Sequence, residues 1–376
     1  MASDATPGRS TPTLSIIVPT YQESASIPIL FERIKVALDG VPWEMIVVDD
    51  DSPDGTSNVA FALAAKDNRL RCLRRVNRSG LAGAVIEGWM SSSADFVAVI
   101  DGDLQHDETI LREMYRALAN DSGNLVIGTR LKEAGVATLS PARQLLSGLG
   151  AWSFRRIAGV AVTDPMSGFF MIRREIVSRL APRLSPDGFK ILVDVILSAG
   201  YGLSIVEVPY SFRKRNAGES KLTLLVSIDF LGLVVHHATA GILPIRFVLF
   251  GMIGASGLAV HIVALSAVVH WFRMLTFDSG QLIATILAMA SNFILNNQIT
   301  YRSYRYRGLA LITGFAAFAL GCSVGAVANI DVASWLYKAN QTWWVAGLAG
   351  ALLSLVWNYA VSTNLIWLPG RRRLGG

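Results

Sequence analysis

The residues best suited to chemistry are those of Asp101-Gly102-Asp103-Leu104-Gln105-His106. At the end of a strand, two carboxylates two positions apart can converge on one hard divalent cation, and Gln105 adds a neutral oxygen. Such an oxygen-rich shell favours Mg2+ or Mn2+, and either ion would bridge a diphosphate. A second acidic run, Asp49-Asp50-Asp51, lies upstream and leads into the turn Ser52-Pro53-Asp54-Gly55. Three adjacent acids cannot all point one way. At least one is expected to face solvent or cap the turn, while the others can accept hydrogen bonds from a nucleobase or ribose.

Basic and small residues supply the other half of a phosphate site. The stretch Arg78 to Ala84 is a glycine-rich turn before a helix and could bring backbone close to a phosphate. It lacks the Gly-Lys-Ser/Thr ending of a Walker A motif. Gly128-Thr129-Arg130 puts an arginine at a strand end, and Asp164-Pro165-Met166-Ser167-Gly168-Phe169 is a polar turn before an apolar run. The loop Arg213 to Lys221 is strongly basic. It reads either as attraction to anionic lipid, worth ~1 kcal/mol per basic residue, or as a lid over phosphates hinged at Gly218. Three other chemistries lack their signatures. No Gly-x-Ser-x-Gly elbow occurs, no Gly-x-Gly-x-x-Gly follows the first strand, and the five histidines have no zinc-site spacing.

These motifs need strands to carry them. Apolar β-rich runs are predicted at Leu14–Pro19, Trp43–Val48, Leu70–Arg74, Asp95–Ile100 and Asn124–Gly128. Helices are predicted between them at Ile27–Leu38, Ser57–Lys66, Gly83–Ser91 and Thr109–Ala119. That alternation predicts an α/β domain with a mostly parallel sheet. In such sheets ligands bind beyond the carboxyl ends of the strands, where both acidic runs fall.

The rest of the chain has a different chemistry. Of 376 residues, 52% are hydrophobic and only 16% charged, and the mean hydropathy is +0.43. That excludes a disordered chain or a collagen, and Cys72 and Cys322 alone make no disulfide framework. Residues 1–243 hold 25 Lys/Arg against 26 Asp/Glu, whereas residues 244–376 hold 9 against 2. The positive excess sits in short runs between apolar stretches, as in a membrane protein and not a nucleic-acid binder. Four spans are predicted, at about 247–272, 281–300, 309–330 and 343–367, each long enough to cross a bilayer. Asn292, Asn296 and Asn297 within the second should face other helices or a polar path. Arg302, Arg305 and Arg307 after the second span, and Arg371 to Arg373 at the end, place the N-terminal domain, the 301–308 link and the C-terminus on the cytoplasmic side. Two mixed stretches, 141–162 and 222–243, are expected to lie on the membrane surface, the alternative for the latter being a fifth span. Residues 1–12 read as a flexible tail without the apolar run of a signal peptide.

From Leu14 to about Lys221 the chain resembles the dolichyl/polyprenyl-phosphate mannose synthases, family-2 glycosyltransferases of the GT-A fold. The resemblance rests on Val18-Pro-Thr-Tyr-Gln-Glu23, Val47-Val-Asp-Asp-Asp-Ser-Pro-Asp-Gly-Thr56, Asp101-Gly-Asp-Leu-Gln-His106, Gly128-Thr-Arg130, Asp164-Pro-Met-Ser-Gly-Phe169 and the Arg213–Lys221 loop. From Arg246 to Trp367 it is similar to the small four-span GtrA-like domain, through Asn292-Phe-Ile-Leu-Asn-Asn297 and the aromatic, Arg-rich stretch after it. Relatives usually read Asp-Ala-Asp-Leu-Gln-His-Pro where this chain has Gly102 and Asp107, and the usual Lys of the glycine-rich turn is Ser79 beside Arg78.

The resemblance implies an inverting transfer of mannose from GDP-mannose to dolichyl or polyprenyl phosphate, giving a β-linked lipid phosphosugar. The alternatives are a UDP-glucose-dependent polyprenyl-phosphate glucosyltransferase, and a lipid-linked sugar flippase or scaffold with an inactive transferase domain. The metal goes to Asp101 and Asp103 with Gln105 third, while Gly102 in place of the usual Ala keeps the geometry but loosens the turn. By resemblance Pro19, Tyr21, Glu23, Asp49, Asp50 and Asp51 surround the nucleotide. Arg130, Arg143 and Arg213 meet donor or acceptor phosphate, Ser220 and Lys221 close the basic loop, and Asp164 orients the arginines or touches the sugar. The partners are GDP-mannose, the lipid phosphate and membrane lipid, with no nucleic acid. The acceptor phosphate is ionised at neutral pH, its second pKa being about 6, so no strong general base is needed.

Overall fold

The computed structural model describes residues 11–76, 78, 80–130, 158–160, 162–186, 190–213, 232–239, 242–271 and 277–367. The chain divides into two units, Met1–Ala238 and Thr239–Gly376. In the first, seven strands form one sheet: β1 (Leu14–Thr20), β2 (Trp43–Asp49), β3 (Leu70–Arg74), β4 (Phe96–Val99), β5 (Leu125–Arg130), β6 (Phe170–Arg173) and β7 (Ile205–Tyr210). β1 and β2 are buried along their whole length. Helices cover both faces of a parallel sheet, which is why these strands read as unbroken apolar runs. One face packs Leu14, Ile16, Val18, Met45 and Val47 against Ile27, Leu30 and Ile34 of the helix Ser26–Ala37.

The strand order is β3-β2-β1-β4-β6-β5-β7. The chain steps outward from β1 to β2 and β3, then crosses back to lay β4 on the other side of β1. That reversal opens a crevice beyond the carboxyl ends of β1 and β4. β6 runs antiparallel between β4 and β5, so β5 and β7 point the same way as β4. The carboxyl ends of β1, β2, β4, β5 and β7 therefore share one edge with the amino end of β6. β6 and β7 are additions to the sequence-based layout. β6 has only four residues before the helix Arg174–Leu180 begins, too short to show a period.

Two stretches expected on the membrane surface fall largely outside the described residues. Of 222–243, the part 232–238 is helical. Its His237 Nε2 lies 2.9 Å from Oδ1 of Asp194, a buried carboxylate on the helix Ile191–Ala199 that also accepts the Ser185 N–H at 2.7 Å. That bond ties the segment to the rest of the first unit.

In the second unit the described residues include four helices long and apolar enough to cross a membrane: Ile245–Val268, Ser279–Thr300, Ala310–Lys338 and Val345–Trp367. No more than 22% of any of their apolar windows is buried inside the protein, and Leu258, Ile262, Val263, Leu320 and Leu352 face outward. Water would not tolerate such a surface, whereas lipid is its natural solvent. The third helix runs eight residues past the end expected for the span, carrying Asp331 exposed on its surface.

The two helical hairpins of this unit repeat each other. Asn292 fills the notch at Gly257, where a Cβ would stand 2.2 Å from its Oδ1, and Asn358 fills the notch at Gly325, at 2.4 Å. Phe315 and Phe318 pack on Phe293 with ring centroids 5.7 and 5.8 Å away, and Phe247 and Phe250 pack on Tyr359 at 5.1 and 5.8 Å. At the helix ends Trp367 Nε1 donates to Asn297 Oδ1 at 3.1 Å, while the Tyr301 hydroxyl meets Thr363 Oγ1 at 2.8 Å. The Tyr301 and Trp367 rings stack at 4.3 Å and 7°. Position by position, 247, 250, 257, 292, 293, 297 and 301 correspond to 315, 318, 325, 358, 359, 363 and 367. Each of these contacts between hairpins is matched by its exchange, as across a two-fold axis.

Candidate active site

Beyond β1 and β2 the three adjacent acids do three different things. Asp49 is fully buried. Its carboxylate accepts from Thr20 Oγ1 at 3.1 Å, the Ser52 N–H at 3.0 Å, the Ser52 hydroxyl at 2.5 Å and the Ser57 hydroxyl. Four donors leave it a structural clamp between the end of β1, the turn and the next helix. Asp50 turns the other way, pairing with the buried Arg75 and accepting the Gly80 N–H at 2.7 Å. Burial pushes its carboxyl up, against the opposing pull of the Gly80 N–H and Arg75. Gly80 has φ +132°, a conformation other residues avoid, and its N–H is thereby committed to Asp50. Asp51 is half-exposed and bonded to Arg74 at 2.6 Å.

At the end of β1, Pro19 is buried, Tyr21 is 60% exposed and Glu23 lies between. The backbone N–H groups of Gln22, Glu23 and Ser24 donate to Ser52 Oγ, Thr56 Oγ1 and Asp54 Oδ2 at 2.9, 3.0 and 3.1 Å. This latches the β1 loop to the turn after β2. Although desolvation raises it, Asp54 is brought down to about 2 by the hydroxyl and N–H donors of Thr56 and Ser24.

The loop after β4 carries Asp101, Gly102, Asp103 and Gln105. Gly102 is buried against β1, where a Cβ would meet Thr20 Cγ2 at 3.3 Å. Leu104 takes φ +63°, and the Gln105 N–H donates to Asp103 Oδ1 at 3.2 Å, closing the turn. Gln105 Nε2 donates to the Arg213 carbonyl at 3.3 Å, so its amide oxygen is the end left for a cation. Across from this loop, Gly168 leaves space for the Asp101 carboxylate, since a Cβ there would stand 2.6 Å from Oδ2. Among the described residues no three His, Cys, Asp or Glu side chains gather into a ready-made metal cage.

Asp101, His106, Arg130, Ser167, Gly168 and Lys190 line one cavity of about 240 Å³. Arg130 is held by Asp164 through two bonds of 2.6 and 3.0 Å, and its guanidinium lies 5.5 Å from the Phe212 ring centre. The fork fit with Asp164 raises its already high pKa. Arg213, expected to meet phosphate, lies against carboxylates. Its guanidinium donates to Glu108 at 2.5 and 3.2 Å, to Asp107 at 3.2 Å and to the His106 carbonyl at 3.0 Å. Two carboxylates thus neutralise it, one of them Asp107, and it becomes a brace for the 105–108 loop. Arg143, Ser220 and Lys221 lie outside the described residues.

Sequence reasoning did not single out Lys190, Glu108 or Tyr210, and it set His106 aside for want of zinc spacing. His106 sat inside the richest motif. Tyr210 carried no local signal, because it reaches the site only as the last residue of β7.

Comparison with known proteins extends over almost the whole chain. Residues 15–181 match the model of glycosyl transferase family 2, and residues 249–367 that of the GtrA/DPMS transmembrane domain. A dolichol-phosphate mannosyltransferase of Pyrococcus furiosus is 33% identical over 363 residues, covering 94% of this chain and 99% of that protein. One from Saccharomyces cerevisiae is 31% identical over 58% of this chain and 84% of its own. An undecaprenyl-phosphate mannosyltransferase of Micrococcus luteus is 33% identical over 55% and 86%.

Proposed function

Since the chain belongs to the dolichol-phosphate mannosyltransferases, a family-2 glycosyltransferase joined to a GtrA/DPMS membrane domain, we propose that it moves mannose from GDP-mannose to a polyprenyl phosphate with inversion at the anomeric carbon. It is an integral membrane enzyme whose substrates are a nucleotide sugar and a lipid phosphate. The observation that carries the reading is the Asp101–Asp103 loop at the sheet's switch point, opposite Gly168 and on the same cavity as Arg130.

The chemistry asks little of a base. An acceptor phosphate oxygen, already ionised, attacks the sugar's first carbon while the bond from that carbon to the diphosphate breaks. The barrier lies in bringing two anions together and in stabilising the diphosphate as it leaves. Asp101, Asp103 and the Gln105 amide oxygen form an all-oxygen donor set that fits Mg2+ or Mn2+. So few protein ligands suit an ion that keeps places for substrate phosphates. When bound, the ion would neutralise the departing diphosphate.

The nucleotide is assigned to Pro19, Tyr21, Glu23, Asp50 and Asp51, with Asp49 holding their turn. Arg130, oriented by Asp164, is assigned to phosphate, together with Arg143 and the Ser220–Lys221 end of the basic loop. The transferase unit, the 301–308 link and the C-terminus are assigned to the cytoplasmic side on their excess of arginine.

Transfer of radiolabel from GDP-mannose, compared with UDP-glucose, to a polyprenyl phosphate with and without divalent metal tests this reading. Metal-dependent mannosyl lipid is expected, and Asp103→Asn should abolish it while the protein stays folded. Product from UDP-glucose alone would move the donor, and turnover by Asp103→Asn would remove the metal assignment. Impermeant thiol labelling of an Arg305→Cys variant reads the orientation, with protection in sealed cells expected.

A further inference from the structure

His106 and Tyr210 are 104 positions apart and meet at the buried back of the metal loop. His106 is 4% exposed and is ringed by Phe169, Tyr210 and Phe212, with centroids 5.3, 5.7 and 5.4 Å away. Its Nδ1 lies 2.5 Å from the Tyr210 hydroxyl and its Nε2 lies 3.1 Å from Asp101 Oδ2. We propose that Tyr210 and His106 form a relay that fixes the rotation of the Asp101 carboxylate, making them positioning residues for the divalent cation of the transfer reaction. This inference rests on the metal reading above.

The proton positions follow from elementary bonding. Burial pushes the Tyr210 phenol well above its ordinary range, so it keeps its proton. A carboxylate that ligates a cation can only accept, so the imidazole N–H facing Asp101 is on Nε2, and in that tautomer Nδ1 accepts the Tyr210 hydroxyl proton. A chain of donors therefore runs from Tyr210 through His106 to one oxygen of the carboxylate and leaves the other for an ion. The notch at Gly168 lies against the same oxygen, where a Cβ would stand 2.6 Å away. Asp101 thus has both a donor and a close backbone neighbour at that oxygen. Without the relay the carboxylate would rotate freely about its last bond, and an ion that tolerates little distortion would be bound more weakly.

The aromatic surround explains why a histidine does this work instead of a longer amide. The ring fills the space between Phe169 and Phe212 while its two nitrogens, on opposite sides, reach Tyr210 and Asp101 together. The arrangement also gives β7 a part in the site. Its last residue, Tyr210, pairs in register with Arg130 at the end of β5, so one strand end supports both the carboxylate and the arginine side of the cavity.

The test uses the full-length protein in detergent and Mn2+ as the probe. Mn2+ binding is titrated by electron paramagnetic resonance without substrate, and the Mn2+ needed for half-maximal transfer is measured separately. Losing an outer partner of a metal ligand typically weakens binding by ~10–100-fold. His106→Leu is expected to fall in that range, with activity recovered at saturating Mn2+. His106→Gln, which can place an amide N–H toward Asp101, is expected to bind more tightly than His106→Leu. Tyr210→Phe removes a single oxygen and keeps the ring, and should weaken Mn2+ about three- to tenfold. Should His106→Leu not fold, Tyr210→Phe decides alone. Wild-type affinity in the folded variants, or an activity loss that excess Mn2+ does not restore, would overturn the relay while leaving the metal reading standing. No Mn2+ binding by the wild-type protein would overturn both.

Discussion

A single methyl at position 168 separates placement of the Asp101 carboxylate from stability of the fold. In Gly168→Ala the new Cβ would stand 2.6 Å from Asp101 Oδ2 and 3.1 Å from its Cγ and Oδ1, where ordinary contact begins at 3.4 Å. The side chain that must give way is Asp101, since the methyl is fixed to the backbone. Restoring contact moves the carboxylate by roughly 0.8 Å, beyond the ~0.5 Å within which a catalytic group must be held. A misplacement near 1 Å costs about 100-fold in rate, or about 2.7 kcal/mol of activation free energy. The backbone itself does not resist, because Gly168 is not in the left-handed region. Alanine there also narrows the unfolded ensemble, a gain of ~0.4–1 kcal/mol that offsets part of any local strain. Gly102→Ala is the internal control. It adds a methyl to the loop that carries Asp101 and Asp103, but toward Thr20 Cγ2 at 3.3 Å, a contact that a shift of tenths of an ångström relieves. Mannosyl transfer at saturating metal, with the melting temperature of each variant in detergent, is the assay. The expected result is a loss near 100-fold for Gly168→Ala with its melting temperature held, and activity within about threefold for Gly102→Ala. If Gly168→Ala also stays within threefold of wild type, the carboxylate is not fixed where its neighbours imply.

Arg213→Ala leaves Glu108, 6% exposed at its side chain, with only the long 3.9 Å pairing to Arg33 among the described residues, and should destabilise the transferase unit by ~1–3 kcal/mol, read as a fall in melting temperature. A donor-phosphate role would instead raise KM for the nucleotide sugar with the fold intact. In the membrane unit, Tyr301→Phe and Trp367→Phe each remove one of the two exchanged hydrogen bonds. A double-mutant cycle on thermal stability should return a coupling of ~0.5–1.5 kcal/mol between them, and simple additivity would mean that the stacked rings act independently. Asp54, held near pKa 2 against its unfolded value of 3.8, contributes stability that is present above pH 4 and lost as pH falls through 2. Asp54→Asn should flatten the acid limb of the stability profile between those values, and an unchanged limb would show that other carboxylates govern it.

Much of the architecture was legible because its causes are local. A strand buried on both faces must be apolar throughout, so β1 and β2 announced themselves, and the acids that end β2 and follow β4 had to fall at the ligand-binding edge of a parallel sheet. The four long apolar helices were legible for the same kind of reason, since lipid demands about 20 consecutive apolar residues per span. What only the tertiary structure decided are the pairings between distant residues. Whether Arg213 meets a phosphate or a carboxylate depends on Glu108 and Asp107, brought to it by a loop over 100 positions earlier. His106 gains a partner in Tyr210 only because β6 enters the sheet antiparallel and turns β5 and β7 toward the same edge. Asp49, Asp50 and Asp51 are chemically identical neighbours, and only the surrounding donors divide them into a buried clamp, a partner for Arg75 and a surface pair. The exchanged contacts of the two hairpins lay hidden for a related reason. Membrane helices advertise the faces they turn to lipid, while the few notches and rings that join them are set by packing, which no run of hydropathy records.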